Sequence, residues 1–296
     1  MTRAMEKNSP AMRLVRQYMK SKVAVAGLLG FAFIVVVAVF APVLSPQDPY
    51  DLAQLDIMDS LLKPGEISMD GMPYILGTDD QGRDILSGIM YGLRTSLGVG
   101  ALSAFFALII GSSLGLVSAY FGGRTDAFIM RVVDLQLSFP PILVALVLMA
   151  ILGQGVDKII IALIIVQWAY YARTIRSTAL VETRKEYIEA AACLALSNMR
   201  IVFRHLLPNC VPPMIVVVTV RVAAAISLEA TLSFLGIGLP VTEPSLGLLI
   251  SNGFEYMLSG RYWISFFPGM ALLFAIVSIN LVGDHLRDIL NPRLQK

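Results

Sequence analysis

The stretch Glu186–Asn209 reads "EYIEAAACLALSNMRIVFRHLLPN". Apolar residues recur at helical spacing: Tyr187, Ile188, Ala191, Leu194 and Ala195, then Met199, Val202, Phe203, Leu206 and Leu207. Glu186, Glu189, Arg200 and Arg204 lie between them. Long, mostly apolar stretches lie before and after this segment, so it reads as a water-exposed helical connection between two membrane spans. An apolar helix face needs cover. It either lies on the membrane interface or fits a groove on a partner. The small triplet Ala190-Ala191-Ala192 permits close approach to another surface.

The rest of the 296-residue chain agrees with a membrane setting. It is 56% hydrophobic and 15% charged, with mean hydropathy +0.73. Soluble domains carry charge on about a quarter of their residues. Crossing a hydrocarbon core of about 30 Å takes ~20 apolar helical residues. Uncharged runs cover Val23–Leu44, Thr95–Gly123, Leu135–Val156 and Tyr262–Gly283, each of at least 22 residues. Pro208–Leu235 is long enough but carries Arg221 and Glu229. A sixth span, Ile159–Ala172, has 14 uncharged residues and needs Asp157, Lys158 and Arg173 to snorkel. Trp168, Tyr170 and Tyr171 read as its interfacial belt. The 22 apolar residues from Val23 exceed a signal peptide's core and read as a retained span.

Six spans put both termini on one side. With the N-terminus inside, inner segments hold 17 Lys/Arg and outer segments five: Lys63, Arg83, Arg94, Lys158 and Arg261. The positive-inside rule therefore sets N-in, C-in. The expected fold is an all-α polytopic membrane protein with six transmembrane helices. It comprises a cytoplasmic tail over 1–22, a first transmembrane helix over 23–44, an outer (periplasmic) loop over 45–94 and a membrane domain over 95–284. The charged loop spans about 182–207, and a second tail covers 285–296.

Several chemistries are not signalled. There is no G-x-x-x-x-G-K-[ST] for a nucleotide. His205 and His285 stand on different segments, and Cys193 and Cys210 read as free thiols. No metal site, cofactor or catalytic residue is assigned. The net charge of +2 is too small to argue for nucleic acid. "LGTDDQGRD" (Leu76–Asp84) fails the EF-hand template, because Arg83 stands where a ligand is needed. It reads as turn and cap chemistry, with Thr78 or Asp79 capping a helix and Gly77 and Gly82 turning.

The segment "EAACLALSNMRIVFRHLLPN" resembles the EAA loop of ABC-importer permeases, E-A-A-x-x-x-G followed by about nine residues and I-x-L-P. Glu189, Ala190 and Ala191 match the start; Leu207 and Pro208 match the end. Ala195 replaces the usual glycine and His205 stands in the Ile position. "LGTDDQGRDILSGIMYGLRTSLGVG" (Leu76–Gly100), "YFGGRTDAFIMRVVD" (Tyr120–Asp134), "LEATLSFLGIGLP" (Leu228–Pro240) and "GDHLRDILNPRL" (Gly283–Leu294) are similar to the C-type permease subunit of dipeptide/oligopeptide importers. Nickel and glutathione importers share this subunit type.

The resemblance implies a type I ABC importer permease fold in the bacterial inner membrane. It implies a heterodimer with a B-type permease, two ABC ATPase subunits below, and a periplasmic solute-binding protein above. Glu189, Ala190, Ala191, Ala195 and Pro208 then belong to the element that couples to an ATPase. Peptides are the expected substrate, moved by alternating access; nickel complexes, glutathione or another small polar solute are the alternatives. A stand-alone secondary transporter leaves the cytoplasmic helix without a purpose, and an intramembrane enzyme lacks paired catalytic groups. Charges at bilayer depth usually face a cavity or each other. Arg221 and Glu229 are eight residues apart, about 12 Å along a helix and about 80° around it. That is too far for a direct pair; they are expected on the pathway, Arg221 toward a carboxylate and Glu229 toward an amine, or else against the partner subunit, or with Glu229 near the outer interface. Asp134 is expected to pair with Arg131, one helical turn away.

Overall fold

A computed structural model describes residues 10–49, 51–68 and 71–290; the outer parts of both expected tails, including Asn291–Leu294 of the last motif, lie outside the described residues. Ten helices of eight or more residues organise the described residues: α1 Pro10–Tyr18, α2 Lys22–Val39, α3 Ile85–Phe121, α4 Gly123–Ser138, α5 Pro141–Leu152, α6 Val156–Glu182, α7 Glu186–Cys193, α8 Leu207–Phe234, α9 Leu246–Phe254 and α10 Trp263–Leu290. Shorter turns join them.

The first span, expected over 23–44, is α2 plus a separate turn, Ala41–Leu44. Pro42 ends the longer helix, since a proline N–H cannot continue its hydrogen-bond ladder. Ser21 caps α2 by accepting from the Ala24 amide. Its packing on α10 is close: a Cβ on Gly27 would lie 2.6 Å from Leu281 Cβ.

The outer loop ends at Asp84 rather than at residue 94, because α3 begins ten residues before the uncharged run. A charge interrupts an apolar count without interrupting a helix, and Arg94 stands exposed on the α3 surface. The capping residue is Asp84, in place of the expected Thr78 or Asp79. It accepts from the amides of Leu86 and Ser87. Thr78 instead donates to Asp59 O and accepts from the Leu62 amide. Asp79 holds the buried Arg83 side chain at 2.7 Å. Gly77 and Gly82 do turn the chain, with φ of 83° and 74°. Gln47 clips the loop's start to this cap, accepting from the Asp84 amide and donating its own amide to Ser87 Oγ. Burial away from water raises the Asp84 carboxyl above the usual carboxylate range.

At 37 residues α3 is about 55 Å long, more than a bilayer core. Its closest partner is α6. A Cβ on Gly111 would lie 2.4 Å from Trp168 O, and one on Gly115 2.6 Å from Ala172 O. Small residues four apart let two backbones touch where lipid supplies no hydrophobic drive between helices.

The third expected span, Leu135–Val156, is broken. Helices α4 and α5 meet at a 90° bend around Phe139-Pro140. Two consecutive prolines lack amides, and each pushes its predecessor out of the α region. With 12 residues, α5 is about 18 Å long and short of a full crossing. Among the described residues five helices are long and apolar enough to span, or six if the bent pair is one span.

Helix α6 runs well beyond the 14 uncharged residues, carrying Arg173 and Arg176 on its inner half. Both are met by acids of α4: Arg173 by Asp134, and Arg176 by Asp126, which also accepts from Ser118 Oγ. Asp134 therefore pairs across helices with Arg173, not along its own helix with Arg131. Of the expected aromatic belt, Tyr171 is fully buried inside the bundle, Trp168 is half-buried and packs on Val133 beside Ala169 and Ala172, and Tyr170 is half-buried.

Between α8 and α10 the short helix α9 folds back on the bundle, which the sequence reading did not anticipate. Gly247 allows it, since a Cβ there would lie 2.2 Å from Ala230 O.

Candidate functional site

The charged loop is not one long helix. Helix α7 stops at Cys193, and Leu194 caps it. Ala195 then takes a left-handed conformation, φ 53°. The Ala195 amide donates to Ala192 O at 2.9 Å and the Leu196 amide to Ala191 O at 3.3 Å. This crossed pair is a Schellman motif, whose left-handed position is usually glycine. The turn that glycine ordinarily supplies is thus kept by an alanine. After one turn at Asn198–Arg200, residues Ile201–Leu206 form a π-helix, and the Leu207 amide reaches back five residues to Val202 O. Pro208 sits in the first turn of α8, where a missing amide costs least.

One face of this loop is anchored. Ile188, Ala191, Ile201, Val202 and Leu206 are buried with Leu116 of α3, Ile175 and Ala179 of α6, and Met214 of α8. Tyr187 Oη donates to Glu182 Oε2 at 2.9 Å, and Lys185 pairs with Glu182 at 2.7 Å. Burial and that acceptor push the Tyr187 phenol up to about 12. The other face is open. Glu189, Ala190 and Ala195 are exposed, as are Leu194, Met199 and Phe203, at 75%, 63% and 46%. The apolar residues of this segment therefore divide between two faces: Ile188, Ala191, Val202 and Leu206 turn into the bundle, while Leu194, Ala195, Met199 and Phe203 remain uncovered. Pro208 is exposed at the loop's far end.

The second location lies at membrane depth. The Arg221 guanidinium stands over the Tyr170 ring, 3.7 Å from its centroid. Such a cation–π contact neutralises part of the cost of a desolvated charge. Arg221 lines two cavities. One, of about 500 Å³, opens among Thr174, Val217, Val220, Asp284 and Arg287. The other, of about 350 Å³, is walled by Pro141, Gln167, Tyr170, Ser227 and Thr231.

Glu229 does not join Arg221 there. It is fully buried within the bundle, taking hydrogen bonds from Ser96 Oγ at 2.7 Å and Ser233 Oγ at 2.8 Å, with Ser245 also in contact. A carboxyl at this depth requires donors, and hydroxyls of α3, α8 and the α9 cap provide them. Its place is between helices, not on a cavity. Sequence reasoning missed Gln167, whose only signal is one amide inside the apolar run Ile159–Ala172. It also missed the serines around Glu229, which look unremarkable singly. Among the described residues no three His, Cys, Asp or Glu side chains cluster as a metal site.

A spanning helical bundle, a cytoplasmic loop anchored on its inner face, and cavities between the spans define a permease subunit of an ABC importer, multi-pass in the inner membrane. The chain belongs to the family described as binding-protein-dependent transport system inner membrane component, which matches residues 107–296. Residues 9–64 match the N-terminal TM domain of oligopeptide transport permease C. The chain is 38% identical over 289 residues to the dipeptide transport system permease protein DppC of Escherichia coli, covering 97% of this chain and 95% of that one. It is 35% identical over 288 residues to the di/tripeptide transport system permease protein DppC of Pseudomonas aeruginosa, covering 97% and 93%. Among solved structures, an inward-facing form of the MetNI methionine ABC transporter matches with TM-score 0.56 at 21% identity, over 68% of this chain and 96% of that chain, and so shares the fold.

Proposed function

We propose that this chain is the C-type half of a heterodimeric permease that imports di- or oligopeptides by alternating access. A B-type permease completes the pore, two ATPase subunits drive it from the cytoplasm, and a periplasmic binding protein delivers solute. The printed activities of relatives that are 35–38% identical across 97% of this chain carry the peptide assignment. The exposed face of the loop supports the coupling role. Glu189, Ala190, Leu194, Met199 and Phe203 offer an acid, a small-residue surface and three uncovered apolar side chains to an ATPase groove. Anchoring at Ile188, Ala191 and Leu206, with Pro208 in the first turn of α8, then carries motion of that groove into α8. Arg221, on two cavities and held by Tyr170, is the pathway residue of this reading.

The test is uptake of labelled di- and oligopeptides in cells with and without the gene, with nickel and glutathione as parallel arms. Peptide uptake is expected to vanish with the gene and with Glu189→Arg at unchanged membrane level. Arg221→Ala is expected to reduce it at normal protein level. Loss of nickel or glutathione uptake alone overturns the peptide assignment and leaves the importer architecture standing.

A further inference from the structure

Gln167 is 3% exposed, and neither its Oε1 nor its Nε2 has a hydrogen-bond partner in the protein. A buried amide without partners is destabilising, and native proteins rarely keep one without a use. This one lies on the wall of the 350 Å³ cavity that Arg221 also lines. That volume falls within the range of about 300–1,000 Å³ typical of small-ligand sites. Gln167 and Tyr170 are three residues apart on α6, hence on one face and about 4.5 Å apart along the axis. Tyr170 in turn carries the Arg221 guanidinium. A neutral donor–acceptor pair and a positive fork thereby belong to the lining of one cavity.

We infer that Gln167 and Arg221 form a two-part subsite for the C-terminal end of a peptide: the Gln167 amide reads the last peptide group, and Arg221 takes the terminal carboxylate. The chemistry matches group by group. A peptide unit offers one N–H and one C=O, which a carboxamide satisfies with its Oε1 and Nε2. A guanidinium binds a carboxylate through two parallel hydrogen bonds. In a peptide, the last amide nitrogen and the carboxyl carbon are separated by one α-carbon, about 2.5 Å, so one small solute presents both groups to neighbouring side chains of a single cavity. The aliphatic walls Pro141, Ile142, Val166 and Leu228 accept side chains without selecting them. The subsite rests on the peptide-import reading above and specifies how that solute is held.

The experiment uses the complete importer, both permeases with ATPases and binding protein, in proteoliposomes. Solute-loaded binding protein is saturating, so its own preference cancels between variants. Three solutes are compared: a dipeptide, its ester isostere lacking the peptide N–H, and its C-terminal carboxamide. Wild type is expected to move the dipeptide about tenfold faster than the ester, the effect of one buried hydrogen bond left unmade. Gln167→Met, similar in shape, should bring the dipeptide down to the ester's rate and leave the ester unchanged. Arg221→Lys should instead narrow the gap between dipeptide and carboxamide. Because Met removes an unpartnered polar group, the purified Gln167→Met importer should melt no lower than wild type, whereas a purely structural glutamine predicts a lower melting point. An unchanged dipeptide-to-ester ratio in Gln167→Met overturns the subsite while peptide import stands. Wild type that moves none of the three, yet imports another solute, overturns the peptide reading itself.

Discussion

Ala195 gives the sharpest test of the loop geometry. Its left-handed backbone, φ 53°, closes the Schellman turn after α7. A side chain in that region costs about 1–2 kcal/mol relative to glycine. Glycine returns about 0.4–1 kcal/mol of this, because its unfolded chain is freer. Ala195→Gly should therefore stabilise the turn by about 0.5–1 kcal/mol, and at about 1.4 kcal/mol per tenfold its amides should open about two- to fivefold less often. The readout is hydrogen exchange at Leu196, whose amide makes the long bond to Ala191 O. Ala195→Val, with a branched Cβ at positive φ, should do the opposite and speed exchange about tenfold. ATP-driven uptake should follow the same order, with the valine variant impaired. Equal Leu196 exchange in wild type, glycine and valine forms would refute the argument, since the strain would then not reside at residue 195.

Three further outcomes are expected. Gly115→Leu drives a side chain into Ala172 O and Ile175 of α6; overpacking of about 1–3 kcal/mol should lower the melting temperature in detergent, and Gly98→Leu, where a Cβ meets nothing within 4 Å, should not. Ser96→Ala removes one of the hydrogen bonds that Glu229 accepts inside the bundle and should cost about 1–3 kcal/mol; stability equal to wild type would mean the carboxyl finds another donor. Asp84 has its folded value raised by burial, so its contribution is present at pH below the ordinary carboxylate range and is lost as pH rises through the raised value. Asp84→Asn, which still offers an oxygen to the Leu86 and Ser87 amides, should flatten that part of the stability–pH curve, as thermal melts across pH 3 to 7 would show.

The membrane class and the importer-permease family were legible from the chain alone. Uncharged run length, basic-residue bias and a local motif are properties of consecutive residues and need no partner to read. Helix ends were less legible where charge and helix disagree. Arg94 and Arg173 end apolar runs, yet α3 and α6 run through both positions, because exposure or an ion pair satisfies the charge. Pro140-Pro141 was visible in the sequence, but its consequence, a broken third span, required the 90° geometry.

The chain by itself showed which segments are apolar enough to cross a membrane and that the charged stretch carrying Glu189, Ala190 and Ala191 lies between two of them. Tertiary structure alone decided what the polar residues inside the membrane do. Arg221 and Glu229 looked alike as buried charges on one helix. Packing gave Glu229 two serine donors from neighbouring turns and helices and left Arg221 over a ring beside open cavities. Gln167 looked like an ordinary member of an apolar run until its missing partners were counted. Hydropathy is summed along the chain, whereas the cost of a polar group in lipid is settled by what lies across from it, on residues far away in sequence.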